Sequence, residues 1–304
     1  MGIAILSGIL SSLNDTSISK SGSASGISTP LDEVPSRLPS KFVACVRRRE
    51  SAKRVISTLG DLSRNIKVLE GRNVDAVSES EVILLGCKPQ MVKDILNEPG
   101  MAAALTGKLL ISICAGVTVD QIQGYLNDEV QQCTIVRAMP NTASLIRESM
   151  TVIATSEPPL PPQQASLVTW IFKRIGEVVY LPPTAMDAST ALCGSGPAFF
   201  ALMLEAAIDG AVAMGLPRAE AQRMAAQTMR GASGLVLNGD HPALLRDKVS
   251  TPGGCTIGGL LVLEEGRVRG TVARAVREAT VVASQLGKGV QGVNGTRFGS
   301  HQLQ

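Results

Sequence analysis

The sequence predicts an α/β domain built on a doubly wound parallel sheet, followed by an all-α domain. Three observations predict it. Short β-branched apolar runs alternate with helically spaced segments through the first 180 residues, strand signals vanish from Met186 onward, and the later segments are long helices rich in small residues. A chain of 304 residues also has room for two ordinary cores.

Taken in order, residues 1–13 have the composition of a short apolar helix. Residues 14–40, rich in Ser, Gly and Pro, read as a flexible insertion. Strand candidates follow at KFVACV (41–46), IKVL (66–69), EVILLG (81–86), KLLISIC (108–114), CTIVRAM (133–139) and MTVIATS (150–156). Between them ESAKRVISTLG, PQMVKDILNE and TVDQIQGYLN have helical spacing, and SLVTWIFKRIG does the same before the strand-like EVVYL. This alternation is the pattern of a Rossmann-type sheet over 1–180.

Beyond it, ASTALCGSGPAFFALMLEAAIDGAVAMG is apolar nearly all round and reads as a buried helix. PRAEAQRMAAQTMRGASGLVLNG starts at a proline and stops at Asn-Gly, and HPALLRDKV, CTIGGLLVLEEG and TVARAVREATVVASQLG complete an all-helical domain over 181–290, with a tail at 291–304. A helix so apolar needs partners on every side, which predicts an intimate homo-oligomer formed through these C-terminal helices, as a dimer or a higher assembly.

Composition excludes several classes. A net charge of +3 is too small to argue for nucleic acid or a membrane surface, and no apolar run is read as long enough to cross a bilayer. The six cysteines are scattered singly, without a CxxC pair or a His cluster, so no metal site is expected and the thiols read as reduced in a cytoplasmic protein.

A sheet of this type suggests a dinucleotide, whose pyrophosphate sits on the N-terminus of the helix after the first strand. Here the chain opens Met1-Gly2-Ile3, so Gly2 fits the last glycine of that turn and the first strand is missing from the sequence. The strand then lies upstream of Met1, or the product binds the cofactor poorly. The end of the next strand, where the adenine ribose would lie, carries Arg47, Arg48 and Ser51, a set suited to a 2′-phosphate; this favours NADPH, with NADH possible but weaker. Cys87-Lys88-Pro89, Ala115-Gly116 and Asn141 close later strands and are further cofactor candidates, because ligands bind at the carboxyl ends of such strands.

Two segments of the helical half carry costly residues. Gly194-Ser195-Gly196-Pro197 interrupts a helix, where glycine and proline each cost about 1 and 3 kcal/mol against alanine. Ser250-Thr251-Pro252-Gly253-Gly254-Cys255-Thr256 is a glycine turn opening a helix, a nest for a small carboxylate. With Asp187 to Phe199, Gly215-Leu216-Pro217, Asp247 to Thr256, and the shorter CKP, AGVT and RAMPNT in view, the chain strongly resembles pyrroline-5-carboxylate reductases. The resemblance covers nearly everything after residue 41.

It implies reduction of the C=N bond of 1-pyrroline-5-carboxylate to L-proline by NADPH, the last step of proline biosynthesis. It places the substrate on Ser195, Gly196, Val249, Thr251, Gly253, Gly254, Cys255 and Thr256, with the Thr256 hydroxyl beside the ring nitrogen as the catalytic group. A paralogue reducing a methylated cyclic imino acid, or a non-catalytic oligomer subunit, would carry the same motifs. Cys193 and Phe199 replace a serine and a tyrosine common in the family. His241 reads as a helix cap.

Overall fold

The computed structural model describes residues 1–16, 35–126, 133–288, 290 and 293. Most of the 14–40 insertion and of the 291–304 tail therefore lies outside the described residues. The chain forms two compact units, one of Met1–Gly194 with Thr280–Gln304 and one of Ser195–Ala279. The division falls after residue 194, and the end of the last helix belongs to the first unit.

In the first unit, α1 (Gly2–Thr16) precedes β1 (Phe42–Val46), α2 (Arg49–Leu59), β2 (Ile66–Glu70), α3 (Asn73–Ser78), β3 (Val82–Leu85), α4 (Val92–Leu96), α5 (Met101–Leu105), β4 (Leu109–Ser112), α6 (Val119–Leu126) and β5 (Thr134–Met139). Then come β6 (Ser149–Ala154), α7 (Pro162–Lys173), β7 (Gly176–Leu181) and α8 (Met186–Ser189). Every strand read from the sequence is present.

Side chains along β4 alternate between two cores. Leu109 and Ile111 meet Ile5 and Ile9 of α1 and Val168, Ile171 and Phe172 of α7, whereas Leu110 meets Val92, Leu96, Met101, Leu105 and Ile122 of the helices on the other face. Gly8 lets α1 settle onto the turn after α7, because a Cβ there would stand 2.6 Å from the Arg174 carbonyl oxygen.

The strands form two sheets. β1 pairs with β2, and β3-β4-β5-β6-β7 form a five-stranded sheet. In a doubly wound sheet the first strand lies between the strands that correspond to β1 and β3. Among the described residues no strand is bonded there.

One expectation is corrected: β6 extends the sheet but runs antiparallel to β5, with Ala138 opposite Ile153 and Met139 opposite Val152. The link between them is a short 3-10 turn, Thr142–Ile146, and a parallel return would need a crossover of a dozen or more residues. Helix α7 supplies such a crossover, and β7 lies parallel to β6. Gly176 begins β7 opposite Ser149 at φ 144°, where a Cβ would stand 2.0 Å from the Ser149 carbonyl oxygen.

The second unit holds α9 (Gly196–Ala213), α10 (Arg218–Leu237), α11 (Pro242–Lys248), α12 (Cys255–Glu265) and most of α13 (Val268–Gly287). A second correction falls here. The stretch Pro183–Ala213 forms 31 helical residues and is long and apolar enough by length and composition to cross a membrane; an 18-residue window within it has a mean hydropathy of 1.6, and only 17% of that window is buried within the chain. The sequence reading missed this length because Gly194, Gly196 and Pro197 punctuate the run. Instead of breaking, the helix widens into a π-helical segment, Thr190–Ser195, which absorbs the N–H that Pro197 lacks. The apolar faces of α9, α10 and α12 are likewise open, with Leu202, Leu237, Leu261 and Val262 more than half exposed. The buried helix of the sequence reading is thus not buried by its own chain.

Candidate active site

In the first unit, the predicted cofactor residues all lie at carboxyl ends of strands or at the start of α1. Gly2 is the first residue of α1, and no neighbour would obstruct a Cβ on it. The helix start lies beside the loop after β5, where the Ser144 hydroxyl donates to the Met1 sulfur at 3.0 Å and the Asn141 side chain accepts from the Ala143 N–H at 3.0 Å. Arg47 and Arg48 follow β1 directly and are exposed. Arg48 is the N-cap of α2 without making a side-chain cap, and Ser51 lies in the first turn. Among the described residues neither arginine has a carboxylate partner; Arg47 reaches only the Met91 sulfur, at 4.0 Å. Two uncommitted guanidinium groups and a hydroxyl at this strand end are the donor set that a ribose 2′-phosphate requires.

The next two strand ends meet each other. Leu85 of β3 is the register partner of Ser112 of β4, and the Ile113 N–H still donates to the Leu85 carbonyl at 3.0 Å. Two residues further along each strand stand Cys87 and Cys114, whose sulfurs are 4.0 Å apart. Cys114 is buried and Cys87 half-buried. Hydrogen bonding from the Cys87 thiol lowers the pKa of Cys114, while the same contact and burial hold the Cys87 proton on. Lys88 and Pro89 are exposed just beyond. Gly116 turns at φ 75° with its backbone against Gly287 at the end of α13, where a Cβ would meet the Gly287 Cα at 3.1 Å. Gln121 clamps that contact by donating to the Gly287 carbonyl at 2.7 Å.

Sequence reasoning did not single out Arg137. It lies inside β5, only 5% exposed, and faces Asp187 of α8 at 3.8 Å, too far for a hydrogen bond. Its Nε and Nη2 have no hydrogen-bond partner. Burial lowers its pKa, and Asp187 opposes that shift. The signal lay in RAMPNT, an arginine inside an otherwise apolar strand.

In the second unit, residues 250–256 form a glycine turn that opens α12. Gly253 has φ 69°, Gly254 is the N-cap of α12, and the Gly254 N–H donates to the Thr251 carbonyl at 3.0 Å. A Cβ on Gly254 would fall 2.4 Å from the Thr251 Oγ1, so only glycine closes the turn without a shift. No side chain caps α12. The first-turn N–H groups, with Cys255 and Thr256 at their head, are left for another acceptor. Val249 caps the preceding α11 and is exposed, while Ser195 and Gly196 open α9. His241 is a cap, its Nδ1 accepting from the Ala243 N–H at 3.2 Å.

A nucleotide-type sheet with exposed arginines at a strand end, followed in the chain by a helical unit, has the make-up of a dinucleotide-dependent oxidoreductase. Residues 183–286 match the family model for pyrroline-5-carboxylate reductase dimerisation, and residues 17–116 match that of NADP oxidoreductase, coenzyme F420-dependent. The chain is 68% identical to pyrroline-5-carboxylate reductase of Lophium arboricola, covering 98% of this chain and 94% of the relative. Against that of Neurospora crassa it is 59% identical, over 98% and 93%. Among solved structures, the enzyme of Coxiella burnetii matches with a TM-score of 0.74 at 26% identity, covering 93% of each chain. The Plasmodium falciparum enzyme, solved with NADP bound, matches at 0.69 and 27% identity, over 81% of this chain and 98% of that one. The chain belongs to the pyrroline-5-carboxylate reductase family, a family of NAD(P)H-dependent oxidoreductases. Its match to a dimerisation domain implies a homo-oligomer.

Proposed function

We infer that this chain reduces 1-pyrroline-5-carboxylate to L-proline, using NADPH. The observation that carries the assignment of the substrate site is the uncapped N-terminus of α12, closed by a turn in which Gly254 has no room for a Cβ. Helix N–H groups and the helix dipole favour a carboxylate there. Thr251 and Cys255 border it, and Ser195 and Gly196 of α9 and Val249 complete the proposed substrate set.

The residues at the ends of β1, β3, β4 and β5 fit the cofactor. Arg47, Arg48 and Ser51 would hold the 2′-phosphate, the start of α1 at Gly2 the pyrophosphate, and Cys87-Lys88-Pro89, Ala115-Gly116 and Asn141 the remaining edge. When bound, NADPH supplies the hydride. As hydride adds to the C=N carbon, the π pair moves onto nitrogen, which arrives protonated or takes its proton from water. The Thr256 hydroxyl hydrogen-bonds that nitrogen and fixes the ring. No carboxylic acid or histidine is needed, so positioning supplies most of the rate. Six unpaired thiols support a cytoplasmic location.

The test is loss of nicotinamide absorbance with NADPH and pyrroline-5-carboxylate. A purified chain with neither turnover nor NADPH binding would sink the reading.

A further inference from the structure

We propose that Cys87 and Cys114 form a peroxide-oxidisable thiol pair, a modification site that locks the ends of β3 and β4 through a reversible disulfide. The argument begins with register. Cys87 and Cys114 each stand two residues beyond the partnered Leu85 and Ser112, and the ladder continues through the bond from the Ile113 N–H to the Leu85 carbonyl. Residues opposite each other on adjacent strands have Cα atoms roughly 5 Å apart, inside the window a disulfide spans. The sulfurs are already 4.0 Å apart, and the Cys114 thiol also contacts the Leu85 and Cys87 carbonyls at 3.4 Å each. Closing the bond brings the sulfurs from 4.0 Å to about 2 Å, by rotation of the two side chains with a small shift of the strand ends that carry them.

Access and reactivity are divided between the partners. Cys87 is half-buried and opens the pair to solvent, whereas Cys114 is buried. The Cys87 thiol and the Ser112 hydroxyl stabilise the Cys114 thiolate, which is the attacking form. None of the other cysteines has a sulfur partner within the described contacts, so no competing pair exists there.

The chemistry balances with a hydroperoxide as oxidant. The Cys87 sulfur, which solvent reaches, attacks one peroxide oxygen, an S–O bond forms, the O–O bond breaks, and the departing oxygen leaves as water with the Cys87 proton. The Cys114 sulfur then attacks the Cys87 sulfenic acid, an S–S bond forms, and hydroxide leaves with the Cys114 proton as a second water. Two thiols are oxidised by two electrons and one hydrogen peroxide is reduced to two waters.

The bond would pin Cys87-Lys88-Pro89 against the Cys114-Ala115-Gly116 turn. On the cofactor placement given above, these are the edges that receive NADPH. The consequence for activity rests on that placement; the disulfide itself does not.

The full chain, reduced and desalted, is treated with small molar excesses of hydrogen peroxide, blocked with an alkylating agent and mapped as peptides. The expected product is a Cys87–Cys114 cross-linked peptide, lighter by two hydrogens than its parts, which dithiothreitol reverses. Cys114→Ser and, separately, Cys87→Ser abolish it, and Cys255→Ser leaves it in place. Oxidation confined to the exposed Cys255, or a cross-link formed equally fast in urea, overturns the proposal.

Saturating NADPH should slow the cross-link, and the cross-linked enzyme should show a NADPH KM raised about tenfold, as displacement of binding groups by a fraction of an ångström implies. A cross-link that forms at the same rate with NADPH and leaves its KM unchanged upholds the thiol pair and overturns the cofactor placement instead.

Discussion

Replacing both Arg47 and Arg48 by alanine tests the cofactor assignment most directly. Both guanidinium groups are exposed and neither is tied to a carboxylate among the described residues, so removing them breaks no internal ion pair and leaves the fold intact. Each charge-assisted contact to a phosphate at a solvated edge contributes about 1–1.5 kcal/mol. The pair therefore contributes about 2–3 kcal/mol to NADPH, or roughly 30- to 150-fold in KM. NADH carries no 2′-phosphate, and its KM should move less than about threefold, within the ordinary spread of surface substitutions. Steady-state rates with both cofactors over a range of salt settle the matter, because the NADPH effect should shrink as ionic strength rises. Equal losses with NADPH and NADH would refute the 2′-phosphate assignment, whatever their size.

Other variants probe the remaining steps. Thr256→Val keeps the shape of α12 and removes one hydroxyl, so kcat should fall by about 10²-fold, as for loss of one preorganised donor; an unchanged kcat excludes the hydroxyl from the reaction. Gly254→Ala forces Thr251 aside, since the new Cβ would stand 2.4 Å from its Oγ1; the substrate KM should rise severalfold with NADPH affinity intact, and a wild-type KM would remove the nest from the site. Gly176→Ala places a Cβ 2.0 Å from the Ser149 carbonyl at φ 144°, for a loss above about 3 kcal/mol; thermal denaturation at wild-type temperature would contradict the strand pairing. Leu202→Asp with Leu261→Asp puts charges on open helical faces that are 68% and 58% exposed; light scattering should then find a smaller assembly, and an unchanged mass would mean that these faces are not the interface.

How far the sequence could be read depended on the range of each signal. The strands at 42–46, 66–70, 82–85, 109–112 and 134–139 announced themselves because their buried runs are β-branched and bounded by turns. His241 was legible as a cap because the Asp-His-Pro setting is local. The short helices α3 and α5 were not legible, since five or six residues carry too little periodicity. Neither was the π-helical segment at Thr190–Ser195, where Gly194 and Pro197 looked like interruptions. The antiparallel turn of β6 depended on the length of a loop whose 3-10 content no residue advertises. The glycine turn before α12 was legible as a turn, because Gly253 and Gly254 are required by backbone geometry. The Arg137–Asp187 contact comes from the packing of α8 against β5, and the Cys87–Cys114 pair from strand register, visible only once residues 27 apart in the chain are laid side by side.

The last helix bears on how this protein can be dissected. Because Thr280–Gln304 belongs to the first compact unit, and Gly287 is clamped between Gly116 and Gln121, the helical unit is an insertion in the chain and not an appendage. A fragment ending at residue 194 would lack part of its own packing, and one proteolytic nick between the units would release neither. The nucleotide-type unit is therefore to be dissected as a re-joined chain, in which a linker from residue 194 to residue 280 replaces the excised helices.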